Sequence, residues 1–304
     1  MSLPAASIPM SSSNSLPVHF FTIVLNGMPF IPYHIDVLLS LPFEWHWHIV
    51  EGVADLKYDT AWSIPSGGRI DARFHKHGLS VDGTKEYLDQ LIAKHALKVS
   101  IYRKPSGQFW DGKLEMVNAP LGKIQTDSLL WEIDADELWT AEQFVAGRQM
   151  FIENPQKYVA SYWCTYFVGP RLILTTRNCY ANNPSFEWRR TWRFKPGFFW
   201  ARHEPPILAE HLYGKILPTE TRGEFLHAET ERRGLVFQHF AYVLAKQLEF
   251  KEGYYGYRNA MMHWNRLQQH RSFPAKLKEF FPWVRDETLV GTIDETEIKP
   301  LIDI

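Results

Sequence analysis

The chain has 304 residues, 45% hydrophobic and 15% aromatic, enough apolar material for a substantial core in one large domain or two closely packed halves. Its 33 basic and 34 acidic residues are interspersed and leave a formal net charge of -1, without the basic excess of a nucleic-acid binder. No run of 18 apolar residues is present, so no transmembrane segment is expected. Cys164 and Cys179 lack metal-ligand spacing and are too few for a disulfide framework, so reduced thiols and a cytoplasmic location are expected, with peripheral attachment to the inner face of the membrane left open.

Residues 1–17, rich in Ser, Pro and Ala, lack the basic region and long apolar run of a signal peptide and read as a flexible leader. His19 to Leu25 is a buried strand, HFFTIVL, which Asn26-Gly27-Met28-Pro29 breaks sharply. Ile35, Leu38 and Leu39 then repeat at helical spacing until Pro42, and Glu44 to Gly52 forms a second strand. Strand, helix and strand within so short a stretch is the βαβ pattern of a parallel sheet. Residues 54–83 are polar, contain glycine and are long enough to be an active-site loop. Thr84 is placed to cap a helix carrying Leu88, Leu91 and Ile92, and a third strand spans Lys98 to Tyr102. Lys113 to Ile124 reads as helical despite Pro120 and feeds the strand Leu129 to Ile133.

Thr140-Ala141-Glu142-Gln143 fits a capping box, and Asn154-Pro155 stops the helix it opens. From Tyr158 to Trp200, runs such as VASYWCTYFV, RLILTT and WRRTWRF predict a mixed sheet extending the first. Residues 240–270 return to a helical pattern interrupted by Gly253 and Gly256, and the acidic end from Asp286 to Ile304 is expected to pack loosely. Most of the twelve tryptophans belong to the core. His46 and His48 alternate at zinc-like spacing, but no partner acid is evident and a structural role is favoured.

Asp134-Ala135-Asp136-Glu137 carries the most chemical information. Two carboxylates two residues apart at a strand exit can both reach one hard divalent cation, Mn²⁺ or Mg²⁺, which shares its oxygen ligands with phosphates and water. A bare pair of acids is usually a solvated turn. Here Trp131 and Ile133 before it, and Leu138 and Trp139 after it, make a poor exposed turn, and acids among apolar groups need a counter-charge or hydrogen bonds. Glu204, held before Pro205 and Pro206, is a candidate general base, with a surface ion pair to Arg202 as the plain reading. His239, between apolar neighbours, is either a hydrogen-bonded core residue or a third cation ligand supplied as imidazole. Trp110-Asp111-Gly112-Lys113 and Asn118 form a polar cluster in which Lys113 can neutralise a phosphate and Asn118 can bond a sugar or base. Asn26-Gly27 and Glu51-Gly52 end the first two strands at one sheet edge, where they flank a nucleoside or are ordinary turns.

The strand ends, the LLWEIDADELW stretch, the HEPP turn and the late FQHFAY histidine together resemble the nucleotide-sugar glycosyltransferases of the GT-A fold, most of all family-2-type bacterial enzymes, over most of Phe20 to Leu267. This resemblance implies an α/β fold, a three-layer α/β/α sandwich with a mixed, mostly parallel sheet. It implies one catalytic domain over residues 18–270, with a nucleotide-sugar-binding half (18–139), an acceptor-side half (140–270) and a C-terminal extension (271–304). It further implies metal-dependent, inverting transfer from a nucleoside-diphosphate sugar, UDP-linked by default, to a saccharide or other hydroxyl acceptor. Asp136, helped by Asp134, and His239 would hold the cation, and Glu204 would deprotonate the acceptor. Asn26, Gly27, Glu51, Trp110, Lys113 and Asn118 would fall at the donor nucleotide. The Arg-Asn pair of many relatives is absent, Val117-Asn118 standing in its place. Two other readings stay open: a nucleotidyltransferase making an activated sugar, although NGMPF after the first strand lacks its basic phosphate loop, and a non-enzymatic carbohydrate-binding protein.

Overall fold

A computed structural model describes residues 16–56, 63–175 and 188–303. Cys179 lies outside them, and Cys164 is half-buried. Four strands, β1 (Val18–Val24), β2 (Trp45–Glu51), β3 (Val99–Tyr102) and β4 (Ser128–Glu132), run parallel in the order β3-β2-β1-β4. The chain reaches them through α1 (Pro32–Leu39), α2 (Thr84–His95) and α3 (Lys113–Asn118), as crossover connections between parallel strands require. The sheet then continues through β9 (Arg189–Phe194), antiparallel to β4, then β6 (Val159–Ser161), antiparallel to β9, and β13 (Glu224–Phe225), parallel to β6. The expected α/β class and mixed, mostly parallel sheet are thus present.

Period-two alternation sorts the strand side chains between two layers. Phe20, Trp47, Leu129 and Trp131 pack with residues of α1, α2 and α4 (Ala141–Glu153) in one buried cluster. Gly147 belongs to that contact: a Cβ there would lie 2.4 Å from the Trp131 ring, so the absence of a side chain lets α4 sit directly on the indole. On the other face Phe21, Leu130 and Trp192 pack against Val117, Leu121, Trp200 and Leu208. That layer consists of α3 and a small antiparallel sheet of β10 (Phe199–Arg202), β11 (Ile207–Leu212) and β12 (Lys215–Pro218).

The β-rich second half does not simply extend the first sheet. VASYWCTYFV divides: β6 joins it, whereas β7 (Trp163–Gly169) founds a second, six-stranded sheet. This sheet runs β15 (Ala275–Lys276), β16 (Leu289–Thr292), β8 (Leu172–Leu174), β7, β14 (Val236–His239) and β5 (Glu137–Leu138). Remaining helices are α5 (His227–Glu231), α6 (Ala245–Gly253) and α7 (Ala260–Gln269). The C-terminal segment is integral, not loosely packed: β16 pairs with β8, Val290 is fully buried, and Ile293, Ile298, Leu301 and Ile302 lie against a core cluster. Glu287, Asp294, Glu295, Glu297 and Asp303 are exposed while these apolar residues turn inward, so local charge concealed an apolar face.

Two boundary expectations also change. Gly83 in a left-handed conformation precedes α2, and Thr84 is its first residue, its hydroxyl accepting from Gly27 N and donating to Asp82. The helix from Lys113 stops at Asn118, and a separate 3₁₀ turn follows Pro120. The capping box is formed as expected, Gln143 N donating to Thr140 Oγ1 and Thr140 N to Gln143 Oε1.

His46 and His48 share one face of β2 with His19 of β1. His19 Nδ1 meets His48 Nε2 at 2.9 Å, His48 Nδ1 meets Tyr102 Oη at 2.9 Å, and His46 Nε2 meets Ser100 Oγ at 2.8 Å. Burial, then the neighbouring histidines, hold His48 down to about 2; burial and then His46 hold His19 down to about 4; burial lowers His46. Below the ordinary histidine pKa of 6.5 the unfolded chain therefore binds protons that the folded cluster refuses. The stability these residues contribute is complete above about pH 6.5 and drains away as the pH falls toward 4, His48 alone adding up to about 1.4 kcal/mol per pH unit. Thermal unfolding across pH 7.5 to 4.5 should show this loss, and the double variant His19→Asn, His48→Gln should show a shallower dependence. An unaltered slope would remove the cluster as its source.

Candidate active site

The acidic loop begins where β4 ends, and its backbone is pinned on every side. Four successive carbonyls each accept a hydrogen bond: Ile133 from Thr22 Oγ1 at 2.6 Å, Asp134 from Glu137 N at 3.0 Å, Ala135 from His34 Nε2 at 3.1 Å and Asp136 from Phe240 N at 2.8 Å. Gly27 lies directly against this loop. A Cβ at Gly27 would stand 3.1 Å from the Ala135 Cβ and 2.8 Å from Val24 Cγ2, so only glycine lets the β1 exit approach so closely. With these four carbonyls satisfied, the loop presents its side chains from a fixed frame.

Three elements converge on those side chains. Because β9 runs antiparallel to β4, its start lies beside the end of β4 and delivers Arg190. β14 pairs antiparallel with β5, which sets His239 opposite Glu137. The connection from β10 to β11 supplies His203 and Glu204. Arg190 clamps the fully buried Glu137 in a bidentate pair, Nε to Oε2 and Nη2 to Oε1 both at 2.6 Å. Its guanidinium also stands 3.6 Å from both Glu132 and Asp134, and 5.3 Å above the Trp188 ring. Burial opposes its charge, but Glu137 and then Glu132 outweigh burial and keep Arg190 protonated.

Asp136 faces His239, Oδ1 to Nε2 at 3.5 Å, and accepts from Gln247 Nε2 at 3.2 Å. Burial pushes its carboxyl up, but His239 outweighs burial and holds it below the usual range. Burial and then Glu137 push Asp134 up, Arg190 acting against both; burial pushes Glu132 up, with Arg190 again opposing. Three carboxylates, Glu132, Asp134 and Glu137, thus surround one guanidinium, while Asp136 is met by His239. His203, 3.9 Å from Glu132, is held far below its ordinary pKa by burial and then by Lys113 and Arg190.

These groups line a cavity of about 910 Å³ at the C-terminal edge of the parallel strands, the position where open α/β sheets bind ligands. Asp134, Asp136, His239, Glu204, Lys113, Asn26 and Gly27 all border it. Glu204 is 50% exposed and lies 3.7 Å from Lys113 Nζ, whose ammonium also stands 4.9 Å from the Tyr255 ring. Asn26 borders the cavity with its amide already bonded to Phe74 O and Val81 N, bracing the long loop after β2. From that loop Arg73, Phe74, Val81 and Asp82 reach the cavity wall; residues 57–62 lie outside the described residues.

Three residues expected at the donor do not border the cavity. Glu51 is fully buried, accepting from Ser80 N at 3.1 Å and from Arg103 Nε at 2.6 Å. Trp110 donates its indole N–H to Glu51 O. Asn118 bonds Leu114 O, Trp200 O and Trp200 N, tying α3 to β10 and so fixing the strand that leads to Glu204. Their polar atoms are spent on the scaffold. Conversely, Glu132, Glu137, Arg190, His203, Gln247 and Lys251 belong to the site, yet the linear pattern did not single them out. WRRTWRF reads only as a strand, and nothing in it marks Arg190 as the residue that turns inward.

Removing one partner of the central pair would strand a buried charge, so Arg190→Met should cost about 3–5 kcal/mol. Arg190→Met combined with Glu137→Leu should recover most of that loss. Urea unfolding of the two variants checks this, and a double variant no more stable than the single one would contradict it.

No family model and no curated protein matches this chain. Among solved structures it is similar to residues 1–349 of TarS from S. aureus, with a TM-score of 0.38 and 12% identity over 59% of this chain and 47% of that one. A second S. aureus TarS structure gives a TM-score of 0.38 and 11% identity over 59% and 28%. The mannosyltransferase PcManGT from Pyrobaculum calidifontis, in complex with GDP-Man and Mn²⁺, gives 0.36 and 15% over 60% and 46%. The chain spans less than half the length of each of these proteins.

Proposed function

We propose that the chain is a glycosyltransferase that moves a sugar from a nucleoside-diphosphate sugar to a hydroxyl acceptor, with inversion and with a divalent cation. One observation carries this reading: a single cavity at the sheet's C-terminal edge has the Asp136–His239 pair on one wall, and the half-exposed Glu204 beside Lys113 on another. Its volume suits an extended, partly apolar ligand with several polar anchors.

The cation is weighed on the donor set. Among the described residues no three ligating side chains already converge on one point, so a closed all-protein cage is not offered. Asp136 and His239 would hold the ion, with Asp134, drawn toward Arg190, as a more distant carboxylate, and the ion would share oxygen donors with the substrate. The surplus of carboxylates over the single buried guanidinium suits a divalent charge at this place, and an imidazole donor favours Mn²⁺ over Mg²⁺. When bound, such an ion neutralises charge that develops on phosphate oxygens.

The chain's own groups account for the rest. Glu204 is exposed to the cavity and accepts the proton of the acceptor hydroxyl as that oxygen forms its bond to the anomeric carbon. The bond from that carbon to the diphosphate oxygen breaks on the opposite face, and the departing electron pair leaves with the diphosphate. Lys113 borders the same cavity beside Glu204, and its ammonium would stabilise negative charge growing on the reacting groups within its reach. No covalent intermediate forms, so the anomeric centre inverts.

A panel of UDP- and GDP-linked sugars should raise the unfolding temperature in the presence of Mn²⁺, because a ligand that binds only the native state adds to its stability. Asp136→Asn should abolish that Mn²⁺-dependent shift, and a retained shift would reject the metal assignment. Glu204→Gln should keep the shift while turnover falls by about 10² or more. Undiminished turnover would reject Glu204 as the base, and release of pyrophosphate from a nucleoside triphosphate and a sugar phosphate would favour nucleotidyl transfer instead.

A further inference from the structure

We propose that the tip of the β11–β12 hairpin anchors the chain to an anionic lipid surface, with Leu212, Tyr213 and Ile216 entering the headgroup boundary and Lys215 and Lys195 meeting lipid phosphates. None of these residues borders the cavity, and the inference does not rest on the glycosyltransferase reading.

Leu212 pairs with Lys215, so a loop of only Tyr213 and Gly214 joins β11 to β12. Both loop residues have positive φ, 48° at Tyr213 and 73° at Gly214, as the tight hairpin turn that follows the twist of its strands requires. Asn, Asp or Gly makes the first position of that turn cheaply, whereas a bulky aromatic is strained there. Tyr213 recovers none of this through packing, because it is 94% exposed. Folding alone gives no reason for the residue, and strain kept at an exposed tip points to use.

The register decides what kind of partner fits. Residues directly opposite across a strand pair share a face, so Leu212 lies on one face with Lys215, and Ile216 on the other with His211. Leu212 is 37% and Ile216 54% exposed. Apolar groups on both faces and at the end of the hairpin offer a protein partner no single side to cover, whereas a lipid boundary surrounds the tip. Tyrosine suits that boundary, its ring among the acyl chains and its hydroxyl among the headgroups. Lys215 can keep its ammonium in the headgroup layer while its stem lies along the apolar groups.

Charge agrees with this occupant. Lys195 sits in the turn that enters β10, at the same end of the small sheet as the tip because β10 and β11 are antiparallel. Lys195 and Lys215 are exposed and form no ion pair among the described residues. The acids Glu210 and Glu220 are engaged, by Arg222 and Arg189 respectively. The uncompensated charge at the tip is therefore positive, and an anionic surface attracts it. Since β11 runs from the connection that carries Glu204 to the tip, docking would hold that side of the cavity within about 20 Å of the headgroups.

Sedimentation of the full chain with vesicles tests this, comparing equimolar phosphatidylglycerol and phosphatidylcholine with phosphatidylcholine alone. The wild-type protein should sediment with the anionic vesicles, and less as salt rises. Tyr213→Asn places a residue that the turn prefers, so this variant should unfold at no lower temperature than the wild type. Tyr213→Asn combined with Ile216→Thr should bind vesicles about tenfold or more weakly, while Tyr213→Trp should retain binding. Lys215→Glu should remove the preference for anionic vesicles. A wild-type protein left in the supernatant by both vesicle types, or equal binding by the wild type and the double variant, would overturn the anchor. So would self-association that the double variant abolishes without any vesicle binding, since the tip would then dock a second copy.

Discussion

The buried bidentate pair between Arg190 and Glu137 holds the two halves of the molecule in register. Arg190 lies at the start of β9 in the large sheet, whereas Glu137 opens β5 in the second sheet, so the pair couples the two sheets. Its geometry also governs the neighbouring acids. The same guanidinium faces Glu132 and Asp134 and thereby limits how far burial can raise them. A buried ion pair contributes little net stability compared with apolar packing, but losing half of it is severe. Its value here lies in fixing position: Asp134 and Asp136 hang from a loop whose ends are both anchored.

That loop is also the seam along which the cavity forms. Its lining comes from the parallel strand ends, from the acidic loop with the end of β14 and α6, whose Gln247 bonds Asp136, and from the β10–β11 connection with α3. Each contributes a different kind of group: backbone and glycine from the β1 exit, carboxylates and imidazole from the seam, and a carboxylate with a lysine from the β10–β11 connection and α3. Charge is therefore arranged and not merely accumulated. The acids gather where Arg190 and His239 meet them.

Much of the scaffold was legible because it is encoded locally. HFFTIVL and EWHWHIVEG are strands buried on both faces, and an apolar run between turn residues suffices to reveal them. The Thr140–Gln143 cap is likewise a four-residue signal. Legibility failed where partners are remote. Glu51 looked like a ligand contact because it ends a strand beside a glycine, yet Arg103, 52 residues later, claims it. Asn118 sat upstream of the acids but is claimed by Trp200. His239 in FQHF reads more readily as core than as a ligand, and only the β14–β5 register sets it opposite Glu137.

The sequence by itself determined the βαβ order, the burial of the aromatic strands and the placement of two carboxylates at a strand exit, since each follows from side-chain period and from turn residues within a short window. Only the tertiary structure decided which charges meet. The antiparallel insertion of β9 and the division of VASYWCTYFV between two sheets join residues far apart in the chain. Electrostatic roles depend on distance and burial in three dimensions, and neither is written in the spacing of residues along a chain.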